Sequence, residues 1–526
     1  VENETAYCSH RSSFPDATSI TGTASYEYRP EILGSGLSGD PILRGIPYSE
    51  IAVYESSGTS IIQCSETGPQ GEISLTVPKN GSYRLKVLSR ALNDKIKVSV
   101  LEEIQYNKPY SIEISFSTTA SDNINIGVLT AHARQSDSAK IEGGAFNILW
   151  AIFQANEAMR SVSGLNSFVA EKVTVYWKAG FNPYSYFGAS NTPISFYRPG
   201  ESKLYILGGI NGQVKKVDTD HFDNSVILHE YGHFLEDIYS QTDSPGGSHT
   251  GSYPLDARLS WSEGWANFYQ SFALGNHYYV DTIGFSNDSV ETDAIGAEQI
   301  RFDLNDSPTT ALYDPVSIAG EGTFREVSIS RSLYKAMNTS GVGFDSIWTA
   351  FSDANNGMRS SLARFRNIGL FNSYLYDVLN NSGLGPTISD WEANVLTPEK
   401  QSRNTRYYSD PLIAQDTSCA GNQTLSPTVD YYLGQDANNI SITNSNKFTA
   451  NKFYSWYHDG SNYNIYLGYS NSGSKVIDLD LIVYNQDYSI VEDYYLKYAG
   501  KVNSTILSQS RRDNPGIESG LESISM

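Results

Sequence analysis

Two histidines stand four residues apart, with a glutamate directly after the first, in the run Asn224-Ser225-Val226-Ile227-Leu228-His229-Glu230-Tyr231-Gly232-His233-Phe234-Leu235-Glu236-Asp237. Of everything in the 526-residue chain, this run most narrows what the chain can fold into. Apolar residues at 227, 231, 234, 235 and 238 recur at helical spacing and predict a helix with one face buried in a core. On such a helix residues i and i+4 share a face, so both imidazoles point to one place. Imidazoles inside an apolar helix cost free energy unless they find partners. One metal ion would satisfy both at once, and Glu230 would lie slightly aside, where a carboxylate can take a proton from water. The alternative is a helix with two hydrogen-bonded histidines and a surface glutamate; with only 8 His in the chain, the spacing favours the metal.

A catalytic zinc usually has three protein ligands and one open position. One arrangement takes the third from a His that follows a Gly on the same segment. Here Glu236 stands where that Gly is needed and Tyr239 where that His is needed, so this arrangement is excluded. The other takes a Glu from a second helix. Glu263, 30 residues after His233, supplies it. Trp261, Trp265, Ala266, Phe268 and Tyr269 flank it, and a carboxylate among such residues is rarely buried without a partner. A charge near the start of a solvated helix is the plainer reading of the same residue.

Taken together, His229-Glu230-Tyr231-Gly232-His233 and Glu263-Gly264-Trp265-Ala266-Asn267 resemble the gluzincins, the thermolysin-like clan of zinc metallopeptidases. The resemblance implies a zincin fold, one zinc held by His229, His233 and Glu263, and Glu230 as the general base that later passes its proton to a leaving amine. It implies a peptide or protein substrate. In that clan the second helix reads Glu-x-x-x-Asp, and the Asp orients the first ligand His. Asn267 stands at that place here. An amide oxygen still accepts from an imidazole N–H, but it raises ligand basicity less than a carboxylate does. Asp237, four residues after His233, is a second candidate to orient a ring, beside its reading as a solvated helix charge. Clan members add a His, Tyr or Arg that stabilises the oxyanion; His277, Arg325, Arg331 and Tyr334 are on offer, and none is assigned.

Upstream, 142–160 predicts a long, mostly buried helix, and 172–177 and 203–207 predict strands. By resemblance, 204–209 would be the sheet-edge strand whose free backbone groups pair with an extended peptide; an ordinary internal strand is the equal alternative.

The expected fold is multidomain α+β, a central zincin metallopeptidase domain flanked by two β-sandwiches. The bounds are an irregular segment at 1–23, a β-sandwich at 24–128, the catalytic domain at 129–415 and a C-terminal β-sandwich at 416–526. In the second span, short alternating stretches at 50–54, 72–77, 82–87 and 95–101 read as strands. Residues 70–87 resemble the carboxypeptidase-regulatory-like β-sandwich, which implies an accessory module without a catalytic role. Beyond the metal motifs, 323–337, 345–351 and 360–379 read as helices. From 424 the texture returns to strands at 463–469 and 477–484, and the latter resembles the β-sandwich appended to many secreted bacterial peptidases. Its Asp478 and Asp480 read more simply as solvent-facing than as calcium ligands, and without an EF-hand loop calcium has no support.

Charged residues make up only 18% and the net charge is −21, which argues against nucleic acid and anionic membranes as partners. The Tyr-, Ser- and Asn-rich texture, with 37 Tyr, suits an exported protein: secreted, periplasmic or on a cell surface. No apolar run is long enough to span a membrane, and a monomer is expected. The chain starts at Val1 without an apolar leader, which is expected of a mature or trimmed protein. Three cysteines are too few and scattered for a Cys metal site; Cys8 could pair with Cys419, leaving Cys64 free, or all three could be thiols. A catalytically silent zincin-fold binding or adhesion protein is the rival reading, and a zinc hydrolase acting on something other than a peptide is a third.

Overall fold

A computed structural model describes residues 7–401, apart from 9–10, 103, 105–106, 134–140, 188–191, 215–216, 245, 248, 250, 252–254, 256, 284–297, 309–319, 324 and 361–365, with the backbone of two later strands. The protein is α+β, with several sheets.

Strands dominate the first part of the chain: β1 (Ala17–Tyr28), the small ribbon β2 (Glu31–Ile32) and β3 (Gly36–Leu37), β4 (Ile42–Gly45), β5 (Glu50–Glu55), β6 (Ile61–Glu66), β7 (Glu72–Pro78), β8 (Ser82–Leu88), β9 (Arg90–Leu92), β10 (Lys97–Leu101), β11 (Ser111–Ser117) and β12 (Asn123–Ala131). The strand β1 pairs with β12 in parallel and with β4 and β7 antiparallel. A second, antiparallel sheet runs β11-β8-β5-β6. Alternation decides which side chains meet between them: Ile73, Leu75 and Val77 of β7 face Tyr83, Leu85 and Val87 of β8 across one apolar core, with the intervening residues turned outward. Residues 17–23, expected to be irregular, are the first half of β1, where Ile20 is buried in this core. Cys8 is bonded to Cys64 of β6, their Cα atoms 5.5 Å apart. This corrects the Cys8–Cys419 alternative and the free Cys64; Cys419 lies outside the described residues.

A mixed sheet follows, and it draws on strands that come both before and after the first long helix. After α1 (Gly143–Arg160) come β13 (Val173–Trp177), the short α2 (Pro183–Tyr186), β14 (Phe196–Arg198) and β15 (Lys203–Ile206). The sheet order is β14-β15-β13-β10-β9, with β10, β13 and β15 parallel. So β10, which reads as a sandwich strand, lies in this sheet instead. Its serine makes Lys97-Val98-Ser99-Val100-Leu101 look half exposed, yet Ser99 is fully buried and its Oγ lies 2.8 Å from the Tyr7 hydroxyl. Helix α1 covers the sheet with Ile148, Leu149 and Ile152 against Val98, Val173 and Leu204.

The helical layer beyond holds α3 (Asn224–Tyr239), α4 (Ala257–Leu274), α5 (Glu326–Met337), α6 (Gly343–Ser352), α7 (Ile368–Asn381) and α8 (Gly385–Trp391). Between α4 and α5, β16 (Tyr278–Thr282) pairs antiparallel with β17 (Glu298–Asp303). Two glycines set the helix spacing. A Cβ on Gly232 of α3 would sit 2.9 Å from the Ala266 Cα of α4, and one on Gly264 of α4 would sit 2.4 Å from Ile329 of α5. The indole N–H of Trp265 donates to the Gly232 carbonyl at 3.1 Å, so α3 and α4 touch backbone to side chain at the level of the histidines. Further on, β18 (Asn464–Ser470) pairs antiparallel with β19 (Ser519–Ser525); the strand expected at 477–484, with Asp478 and Asp480, lies outside the described residues.

Candidate metal centre

Helix α3 places the His229 and His233 rings 4.8 Å apart, nearly perpendicular. Their Nε2 atoms come within 3.2 Å of each other. From α4, Glu263 Oε2 lies 3.1 Å from His229 Nε2 and 3.3 Å from His233 Nε2. His229 and Glu263 are each 7% exposed. The three donor atoms form an almost equilateral triangle. A tetrahedral ion with bonds of about 2.0–2.1 Å separates its ligand atoms by roughly 3.3 Å, so the triangle matches one face of such a shell.

The far side of each ring explains why the Nε2 atoms face inward. His229 Nδ1 donates to Asn267 Oδ1 at 2.8 Å. His233 Nδ1 donates to Ser262 Oγ at 3.2 Å, and that hydroxyl in turn donates to Glu236 Oε2 at 2.6 Å. Both rings are thereby held with the proton on Nδ1 and a lone pair on Nε2, the tautomer a metal needs. Two such lone pairs facing one another beside a carboxylate are mutually repulsive unless a cation lies among them. The donor set, two imidazoles and one carboxylate, fits zinc.

Asp237 takes no part in this. Its carboxylate accepts from the Tyr197 hydroxyl at 2.5 Å and from the Gly200 N–H at 2.8 Å, which corrects its reading as an orienter of His233. The partner found instead, Glu236 through Ser262, sits one residue earlier on the helix and turns inward.

Electrostatics concentrate at the same place. Burial disfavours charge on His233, but Glu263 and then Glu230 outweigh it and push its pKa up to about 9, so in the absence of a metal a proton on Nε2 would take the place a metal ion would fill. Burial alone would raise the Glu263 carboxyl, yet His249 and His233 beside it hold it well below the usual carboxylate range. Glu230 follows His229 on α3 and is close enough to raise both His233 and His249.

His249 and Glu326 are absent from the motif-based reading. His249 Nδ1 lies 2.8 Å from Glu326 Oε2 on the first turn of α5, and its Nε2 lies 3.4 Å from Glu263 Oε1. Burial disfavours its charge, while Glu263 and Glu326 push it up to about 10. So one oxygen of Glu263 faces the two ring nitrogens and the other faces His249. The only sequence signal was a His between the two ligand helices; Glu326, 77 residues further on, had none. Of the oxyanion candidates, Arg331 pairs with Glu399 at 2.7 Å and His277 contacts Asp303 at 2.6 Å, while Tyr334 packs near His277 and Arg325 precedes α5 in a buried position.

The expected peptide shelf at 204–209 is not a free edge. Strand β14 pairs with β15 on its outer side. The Leu207 N–H donates to Ser195 Oγ, its carbonyl accepts from Asp220, and Gly208 exchanges hydrogen bonds with Phe181 and Gly180. Among the described residues, the edge beside α3 is β14, antiparallel to its neighbour, with Tyr197 packed on Phe234 of α3.

Comparison with known proteins gives two findings. A protein of Archaeoglobus fulgidus, described only as uncharacterized, is 31% identical over 121 residues, which is 22% of this chain and 33% of that protein. The chain thus spans about a third of that relative's length. Residues 162–304, from the end of α1 through the β16–β17 ribbon and including both ligand helices, match the family model described as the Mycolysin C-terminal domain. That match supports a relationship to metallopeptidases.

Proposed function

We propose that this protein is an exported zinc metallopeptidase of the thermolysin-like, zincin type, with His229, His233 and Glu263 as the zinc ligands and Glu230 as the general base. The observation that carries the proposal is the triangle of three donor atoms 3.1–3.3 Å apart, with the ring tautomers set from behind by Asn267 and Ser262. When bound there, zinc supplies a Lewis acid that lowers the pKa of water toward neutrality and polarises a carbonyl.

The remaining work falls to the chain's own side chains. Glu230 stands beside the ligands and accepts the proton of the attacking water, then returns it to the departing amine. Asn267 and the Ser262–Glu236 pair hold the ligand rings in register. His249, held by Glu326, takes one oxygen of Glu263 and leaves the other for the metal; it acts as a positioning residue. The peptide shelf moves one strand outward, to the antiparallel edge strand β14, whose outer backbone groups face away from β15. The Cys8–Cys64 bond supports an oxidising compartment, and no helix among the described residues is long and apolar enough to cross a membrane.

Zinc content and hydrolysis of a denatured protein substrate, measured on wild type and Glu230→Gln, test the reading. One zinc per chain is expected in both, with activity in the variant reduced by about 100- to 10,000-fold. Zinc with no activity in the wild type would turn the reading to the catalytically silent binding protein. No zinc in the wild type would remove its foundation.

A further inference from the structure

A second group of ligating side chains lies apart from the zinc triangle. Asp218 and Asp220, in the segment between β15 and α3, meet Asp281 of β16, with one carboxylate oxygen from each within 4.8 Å of the others. Three carboxylates in contact are not in themselves a site. What marks this group is that the Oδ1 atoms of Asp218, Asp220 and Asp281 are all buried and without a hydrogen-bond partner among the described residues. Asp220 is only 4% exposed, and its other oxygen accepts from Ser195. Buried carboxylate oxygens normally find donors. Here donors are present close by and serve other atoms: the N–H and hydroxyl of Thr282 go to Asp223 at 2.8–3.0 Å, and Gln299 reaches the Oδ2 of Asp218 at 3.3 Å. Asp218 and Asp220 also lie within hydrogen-bond reach of each other, yet each of the three carboxylates keeps one buried oxygen without a donor.

The geometry points to a calcium site formed by Asp218, Asp220 and Asp281, which ties the entry of helix α3 to strand β16. An all-oxygen set suits a hard cation, and three protein carboxylates in a buried pocket suit calcium better than magnesium, which keeps several waters and is usually held by one or two carboxylates. Burial and then the repulsion of Asp218 and Asp281 push the Asp220 carboxyl well above its usual range. A bound cation relieves the same repulsion without a proton. The site has a structural role. The Asp218 backbone bridges to Ile283 just past β16, and Asp220 accepts from the Asp223 N–H at the start of α3. Two residues before Asp281, on the same face of β16, Tyr279 packs edge-on against His229 with ring centroids 5.8 Å apart. A cation at the aspartates therefore steadies the strand that backs the first zinc ligand.

Calcium and magnesium titrations of the full-length, zinc-loaded protein test this, with melting temperature as readout and bound calcium counted by elemental analysis. One calcium per chain is expected. The melting temperature should rise by roughly 5–10 °C at calcium about 100-fold above its dissociation constant. Magnesium should give a smaller rise at equal concentration. Asp220→Asn and, separately, Asp281→Asn should lose the calcium response while melting, in calcium-free buffer, no lower than the wild type, because each removes a buried like charge. The inference is overturned if the wild type does not respond to calcium up to about 10 mM, beyond the range of weak extracellular calcium modules. It is equally overturned if both variants respond as the wild type does, or if magnesium matches calcium. Zinc and calcium are counted separately in each sample, so loss of one reading leaves the other standing.

Discussion

Four glutamates surround the histidines, and their surroundings separate them. Glu263 is held ionised by His249 and His233, Glu326 anchors His249, Glu230 lies close enough to favour charge on His233 and His249, and Glu236 is sealed behind Ser262. Glu236 is 1% exposed, and burial raises its pKa to about 7 despite the hydroxyl of Ser262 and the charge of His233. A carboxyl whose folded pKa lies above its unfolded value binds more protons when folded. Its stabilising contribution is full below about 4.5 and is lost as pH rises through about 7. Melting curves of wild type and Glu236→Gln between pH 4.5 and 8 should therefore diverge: the wild type loses stability across that window more steeply than the variant. Parallel curves would mean that Glu236 does not titrate there. Helical periodicity made it legible that His229 and His233 share a face, while the approach of Glu263 and Asn267 from a second helix was legible only through the resemblance to the gluzincins and the apolar residues around Glu263. His249 and Glu326 were not legible, because a histidine in an irregular segment and a glutamate on a distant helix carry no periodic signal until tertiary packing brings them within 2.8 Å.

Among the secondary elements, the contact of α3 with α4 governs the ligand triangle, since two of its corners lie on one helix and the third on the other. Gly232 sits at that contact, and a methyl group there would press on the Ala266 backbone at 2.9 Å. Gly232→Ala should destabilise the protein by about 1–3 kcal/mol, as overpacking a close helix contact does, even though Ala is the better helix former. Denaturant unfolding with zinc present would show it; an unchanged or higher midpoint would mean that the helices adjust freely. The strands were less legible than the helices. Whether β15 lies at an edge depends on whether β14, three residues long, folds back onto it, and so short a strand has no pattern of its own. The alternating stretch at 95–101 read as a sandwich strand because alternation reports side-chain polarity, and polarity misleads where a buried hydroxyl such as that of Ser99 has found Tyr7.

For the whole molecule, the Cys8–Cys64 bond closes a loop with a sequence separation of 56 and fastens the N-terminal segment to β6. Cross-links of this kind contribute about 2–4 kcal/mol, largely by restricting the unfolded chain. Reduction should lower the melting temperature of the unit containing β6, and the Cys8→Ser, Cys64→Ser double variant should melt with the reduced protein whether or not reductant is added. Equal melting of the oxidised and reduced wild type would assign the bond no role in stability. The N-terminal sheets and the helical layer also share side chains: Phe146 of α1 and Phe222, just before α3, are buried in the core between those sheets.

The place of β10 has a further consequence, for how such a gene can be rearranged. A strand from the first hundred residues lies inside the sheet under α1, parallel to a partner that is translated some seventy residues later. An exchange of coding sequence at the apparent border near residue 128 would carry β9 and β10 away with the sandwich and leave β13 with a bare flank. A cut at that border would not leave two self-contained pieces, because the sheet under α1 needs strands from both sides of it.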